Sequence, residues 1–195
     1  MLQPKNNLIS LYSNLDAEEQ LPKEFVVKFE EIFNGKYHQV KVTLDGQQVG
    51  DIVDDNSFIN DGYRYHDVFH YTFATLLDWS PCSRSMLKRK RKSIEDIDRI
   101  EDGARAAITE EAISLMIFNN AVDNDYFYKC NKIDDVFLTI IKNMVEPFEV
   151  RHKSKTDWEK AILKSYELFR LLRTNKGGII SFNVEDKKII YEKID

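Results

Sequence analysis

The chain has 195 residues, 43% hydrophobic and 12% aromatic, enough for a packed core in one domain of ordinary size. A formal net charge of −5 argues against general coating of nucleic acid, and two cysteines, Cys82 and Cys130, give neither a disulfide framework nor a zinc pattern. Met1 to Asn7 lacks an apolar signal core and no run of about 18 apolar residues occurs, so the expected setting is the cytoplasm, with no membrane contact.

Residues 5–14 read as a short helix with Leu8, Ile9, Leu11 and Tyr12 on its apolar face. Pro22 suits the first turn of a second helix, in which Phe25, Val26, Phe29, Ile32 and Phe33 recur at helical spacing until Asn34-Gly35 stops it. A hairpin follows over 36–54. Val40, Val42 and Leu44 alternate with Lys41 and Thr43, Asp45-Gly46 makes the turn, and Gln48 to Val53 returns. Asp54 to Ser57 form a loop rich in capping side chains. The next helix covers about 59–78 and closes at Trp79-Ser80-Pro81. A basic block, Lys88-Arg89-Lys90-Arg91-Lys92, then precedes an acidic stretch from Glu95 to Asp102.

A long helix is expected from 96 or 104 to 121, with Ala104, Ala107, Ile108, Ala112, Leu115, Met116 and Phe118 as its apolar positions. Glu111 falls in line with Ala104, Ile108, Leu115 and Phe118, so it projects from the stripe expected to be buried. Another helix covers 134–146 and ends at Pro147. A capping box, Thr156-Asp157-Trp158-Glu159, opens one more, which Asn175-Lys176-Gly177-Gly178 stops. Ile179 to Ile194 read as a second hairpin turned at Glu185-Asp186. The expected fold class is mainly α. It is a helical bundle domain over 1–195 with two small β-hairpins: N-terminal helices in 1–35, the first hairpin in 36–54, a helical core in 55–175 and the C-terminal hairpin in 176–195.

The stretch Asp61-Gly62-Tyr63-Arg64-Tyr65-His66-Asp67-Val68-Phe69-His70 concentrates the chemistry. On a helix, His66 and His70 lie one turn apart on one face, and Asp67 lies one turn before His70. They emerge beside an apolar stripe, where polar groups are costly unless paired with one another, a metal or a ligand. Packed against the helix carrying Glu110 and Glu111, they would bring three carboxylates and two imidazoles together. Such a set suits Mg2+ or Mn2+, with imidazole moving the preference toward manganese, iron or zinc. The plainer alternative is a buried ion-pair network, for example His70 with Glu111. Arg64, Arg105, Lys88, Arg89, Arg91 and Lys92 are the cations available to clamp a polyphosphate, and with a metal and an activated water they point to phosphoanhydride hydrolysis. The corresponding plain reading is a solvated charged face, with Arg64 and Arg105 paired to Asp61, Glu101 or Asp102. No Gly-rich phosphate-binding loop and no dinucleotide fingerprint is present.

That stretch, followed by Trp79-Ser80-Pro81, Lys90-Arg91-Lys92-Ser93, Glu101-Asp102-Gly103-Ala104-Arg105-Ala106 and Glu110-Glu111, resembles the MazG C-terminal-domain-like proteins, grouped with the all-α nucleoside triphosphate pyrophosphohydrolases. The resemblance implies a helical, dimeric protein that uses magnesium held by an E-x-x-E and a later E-x-x-D to split a nucleoside triphosphate into monophosphate and pyrophosphate. The chain departs from that pattern. Its only E-x-x-E, Glu146 to Glu149, straddles Pro147, and its E-x-x-D matches lie at Glu95 to Asp98 and at the terminus. By position, the replacements are Asp67, His70, Glu110 and Glu111 as metal ligands, with Glu111 orienting the attacking water. Tyr63, Arg64, His66, Lys88, Arg91, Lys92 and Arg105 would meet the nucleotide. A non-catalytic nucleotide- or partner-binding module is the alternative. A histidine-aspartate phosphohydrolase using His66-Asp67 with His38 ranks last, because His38 falls at a strand.

Overall fold

A computed structural model describes residues 15–194, so the helix expected over 5–14 lies outside the described residues. The strands are β1 (Glu24–Phe33), β2 (His38–Leu44), β3 (Gln47–Gln48), β4 (Gly177–Asn183) and β5 (Lys188–Glu192), and the helices α1 (Asp67–Leu77), α2 (Pro81–Met86), α3 (Glu95–Ile100), α4 (Ala104–Val122), α5 (Asp135–Met144) and α6 (Lys155–Asn175). All strand pairs are antiparallel, in the order β3-β2-β1-β4-β5.

This corrects the expected helical bundle with two separate hairpins. Helix still outweighs strand, but the hairpins are halves of one five-stranded sheet joined by β1. The segment from Glu24 to Phe33, expected as a helix, is that central strand. Its apolar residues fit both periods over so short a run. The sheet decides: Phe25, Val27 and Phe29 face the core while Val26 and Glu30 face out. Val27 sits between Leu44 of β2 and Ile180 of β4, so the strand is fixed by partners far away in sequence.

One face of the sheet carries Phe25, Val27, Phe29, Val42, Ile180 and Phe182, all buried. α1 lies on it, with the Tyr71 ring 6.0 Å from Phe25 and 5.9 Å from Phe182. On α1's far side, Phe69 meets Tyr166 and Phe169 of α6 at 4.9 and 5.8 Å. Buried between sheet and helix, α1 hides every residue except Leu76. α6 opens with a capping box two residues before the expected one: Ser154 caps and Asp157 answers it. It ends on Lys176 in the left-handed region, followed by Gly177 at φ +133°. A Cβ at Gly177 would stand 2.4 Å from the Phe29 carbonyl oxygen, so the helix-to-sheet passage requires glycine there.

The long helix is also phased differently from expectation. α4 buries Ala106, Glu110, Ile113, Ser114, Ile117, Phe118 and Ala121, while Ile108 and Leu115 are 67% and 47% exposed. Glu110, not Glu111, is the carboxylate on the buried stripe. No helix among the described residues is long and apolar enough to cross a membrane.

Candidate active site

The site forms where the start of α1 meets α2 and the first half of α4. Gly62, at φ +87°, turns the chain into a short 3-10 turn over Tyr63–Tyr65 that runs into α1. His66, Asp67 and His70 follow, and each offers a ligand atom within 4.8 Å of the others. His66 stacks flat on Tyr63, with centroids 4.3 Å apart and planes 2° apart, and its Nδ1 lies 2.9 Å from the Tyr63 carbonyl oxygen. Its Nε2 lies 3.4 Å from Asp67 Oδ1. Asp67 is buried and makes no hydrogen bond among the described residues, so its oxygens are available to a ligand.

Ser80 caps α2 and Pro81 takes its first position, a local signal readable in Ser-Pro. The cap presents two donors to Glu110: the Ser80 hydroxyl donates to Oε1 at 2.8 Å and the Cys82 N–H to Oε2 at 2.9 Å. His70 Nδ1 donates to the same Oε1 at 2.9 Å. Glu110, fully buried, thus ties α1, α2 and α4 together and fixes the His70 ring. The other ring nitrogen, Nε2, lies 3.2 Å from Glu111 Oε1 without an aligned hydrogen bond, a charge contact and not a directed bond.

The electrostatics follow from that geometry. Burial disfavours a charged His70 more than any one neighbour favours it, but the charge and hydrogen bond of Glu110, together with the adjacent Cys82, outweigh it and hold the imidazole well above the ordinary histidine range. Burial would raise Glu111, yet His70 beside it brings the carboxyl down to about 2. The Cys82 thiol is pushed up to about 12, first by burial and then by Glu110, so it stays a thiol.

A cleft of about 520 Å³ opens over these groups, walled by Tyr63, Asp67, His70, Cys82, Ile108 and Glu111. The residues fit a divalent cation. A histidine whose Nδ1 is held by a carboxylate, with the opposite nitrogen buried and without a hydrogen bond, is the usual support of a metal-binding imidazole. Asp67 and Glu111 add oxygen donors on the same cleft. Glu110 itself has both oxygens engaged in protein hydrogen bonds, which places it behind His70 as the group that orients it.

The expected cations are dispersed. Arg64 is buried and engaged by Glu31 and Asp55 at 3.0 and 2.7 Å, and Arg91 by Asp102 and Glu149 at 2.7 and 2.9 Å. Lys88 and Lys92 are exposed, and Lys88 comes just after Ser85 and Met86, which line the cleft. Arg105 is exposed one turn before Ile108 of the cleft wall. His38 lies on β2 beside Glu31 at 3.1 Å, in a different hollow from Asp67. The residues that sequence reasoning missed are Ser80 and Cys82, whose roles as donors to Glu110 depend on a contact across about thirty residues.

Among family models, that of the MazG C-terminal domain matches residues 7–195. No curated protein and no solved structure matches the chain.

Proposed function

From the premise that this chain belongs to the MazG C-terminal domain family, we propose that it is a metal-dependent nucleotide pyrophosphohydrolase, converting a nucleoside triphosphate to the monophosphate and pyrophosphate. The observation that carries the reading is the cleft in which Asp67, His70 and Glu111 meet, with His66 beside Asp67 and His70 oriented from behind by Glu110. Asp67 and His70 Nε2, joined by Glu111, are the groups that would hold Mg2+ or Mn2+. When bound, such an ion supplies charge neutralisation on phosphate oxygens and acidifies a water. Glu111 is the only one of these side chains that is half-exposed, so it is placed to accept a hydrogen bond from the attacking water. Lys88, Lys92 and Arg105 are exposed cations with no carboxylate partner among the described residues and are assigned to the phosphates. Arg64 and Arg91 are assigned to the scaffold, since their guanidinium groups are already engaged.

The reading includes a homodimer. α4 leaves Ile108, Leu115 and Val122 exposed at seven-residue spacing. A second copy of α4 laid antiparallel about Leu115 would set Arg105 against the acidic turn at the partner's Asp123 and the partner's Asp125, and would wall the cleft at Ile108 and Leu115.

One observation favours a second reading, a non-catalytic nucleotide-binding module: His70 already lies between the Glu110 and Glu111 carboxylates, at 2.9 and 3.2 Å, an ion-pair arrangement that forms without a metal. Titration of the protein with Mn2+, followed by calorimetry or by the loss of the free-ion electron spin resonance signal, separates the two. Stoichiometric uptake that Asp67→Asn weakens at least tenfold supports the enzyme. No uptake supports the module.

A further inference from the structure

A second hollow, of about 380 Å³, lies between the β1–β2 end of the sheet and the C-terminal turn of α6. It is lined by Glu31, His38, Asn60, Arg64, Arg173 and Lys176. We propose that this hollow, separate from the metal cleft, binds the phosphate group of a small phosphomonoester.

The lining carboxylate is already engaged by Arg64, Tyr65 and His38, and no ion pair joins it to Arg173 or Lys176 among the described residues. Glu31 Oε2 accepts from Arg64 Nε and Nη2 at 3.2 and 3.0 Å and from the Tyr65 hydroxyl at 2.7 Å, and Oε1 faces His38 Nδ1 at 3.1 Å. Burial would raise its pKa, but the Tyr65 and Arg64 contacts outweigh that and keep it ionised below the ordinary range. What remains around the hollow is donors. Asn60 gives its oxygen to Arg64 Nη1 at 2.9 Å, which leaves its amide nitrogen as a donor. Arg64, 6% exposed, makes bonds through Nε, twice through Nη1 and once through Nη2, so one of a guanidinium's five N–H groups has no acceptor among the described residues. Arg173 and Lys176 have no carboxylate partner among the described residues.

The donors are also positioned. Arg173 lies over the Tyr126 ring at 4.5 Å, and a Cβ at Gly62 would come within 3.1 Å of its Cδ. Tyr126 is fixed in turn by its hydroxyl, which donates to the Asp61 carbonyl at 2.9 Å. The negative end of α6 accounts for cations at its last turn, but not for His38, Asn60 and Arg64 converging on them from other segments. A preorganised, donor-rich hollow built on a buried guanidinium matches a phosphate, which accepts through three oxygens and prefers bidentate arginine. Arg173 also lines a neighbouring hollow in which Tyr126 and Tyr128 stand beside the Asp125 and Glu167 carboxylates, so the rest of the ligand would meet aromatic rings and hydrogen-bond acceptors there. That favours a nucleoside monophosphate as the probe.

The test is equilibrium binding by calorimetry in the presence of a chelator, so that no metal occupies the other cleft. The probes are inorganic phosphate, a nucleoside 5′-monophosphate and the corresponding nucleoside. The monophosphate is expected to bind, the nucleoside not. Arg173→Gln with Lys176→Gln, both at exposed positions, is expected to weaken binding at least tenfold with unchanged circular dichroism, and Glu111→Gln to leave it unaltered. Inorganic phosphate binding as tightly as the monophosphate would support a site that reads the phosphate alone. Three outcomes would overturn the proposal: no binding of either phosphate, equal binding of the nucleoside, or binding lost in Glu111→Gln but kept in the double variant.

Discussion

His70 and Glu110 face each other between α1 and α4 with Nδ1 and Oε1 2.9 Å apart, and both side chains are at most 1% exposed. A charge pair at that depth is held by the whole of its surroundings, here the Ser80 hydroxyl and the Cys82 N–H on the same carboxylate. Glu110→Gln keeps the volume but offers one acceptor oxygen where three donors now converge. It is expected to destabilise the fold by about 3–5 kcal/mol, the usual consequence of breaking a buried pair. Glu111→Gln, at a half-exposed position, is expected to change stability far less. Urea unfolding of the two variants checks the order, and equal losses would contradict the assignment of Glu110 to the scaffold.

Glu101 gives a pH dependence independent of the metal cleft. Burial pushes its carboxyl up to about 7, and the Glu149 and Asp102 charges add to this. The folded state therefore holds a proton that the unfolded chain has already released. Its contribution is intact below the ordinary glutamate pKa and is lost as pH rises through about 7. Allowing for partial exposure, the loss is about 1–2 kcal/mol. Glu101→Gln retains an oxygen for the Glu149 N–H, now 3.0 Å from Oε2, and is expected to be more stable than wild type at pH 8 and equal to it at pH 5. Melting temperatures at the two pH values measure the effect. No gain at pH 8 would refute it.

The exposed stripe on α4 predicts an oligomer that a single charge should disrupt. Leu115→Lys replaces an apolar side chain that is 47% exposed, so the folded protomer is expected to survive with a stability change within about 0.5 kcal/mol. Sedimentation velocity is expected to show a dimer for wild type and a monomer for Leu115→Lys. A wild-type monomer at all concentrations would remove the second copy from the account.

Local signals proved legible where structure depends on neighbours in sequence. The Asp45-Gly46 turn, the C-terminal hairpin and the body of the helix of His70 follow from short patterns, although that helix starts at Asp67 and not near residue 59. Distant contacts decide the rest. β1 reads equally as a helix until its register with β2 and β4 is known. On α4, Ile108 and Leu115 set the apparent hydrophobic phase, yet the buried face runs through Glu110, whose donors come from α1, α2 and the residue before α2. Arg91 stands in a run of five cations that reads as surface, but Asp102 and Glu149 draw it into the interior. No local pattern carries that information, because the compensating charges are 11 and 58 residues away.

The central claim is hydrolysis at the cleft of Asp67, His70 and Glu111. Its most direct measurement is release of pyrophosphate from a panel of ribo- and deoxynucleoside triphosphates with Mg2+ or Mn2+, comparing wild type with Glu111→Gln. The account predicts metal-dependent pyrophosphate release by wild type and a loss of at least a hundredfold in the variant, the scale of a removed general base. No pyrophosphate from any triphosphate with either metal, or wild-type turnover by Glu111→Gln, would contradict it.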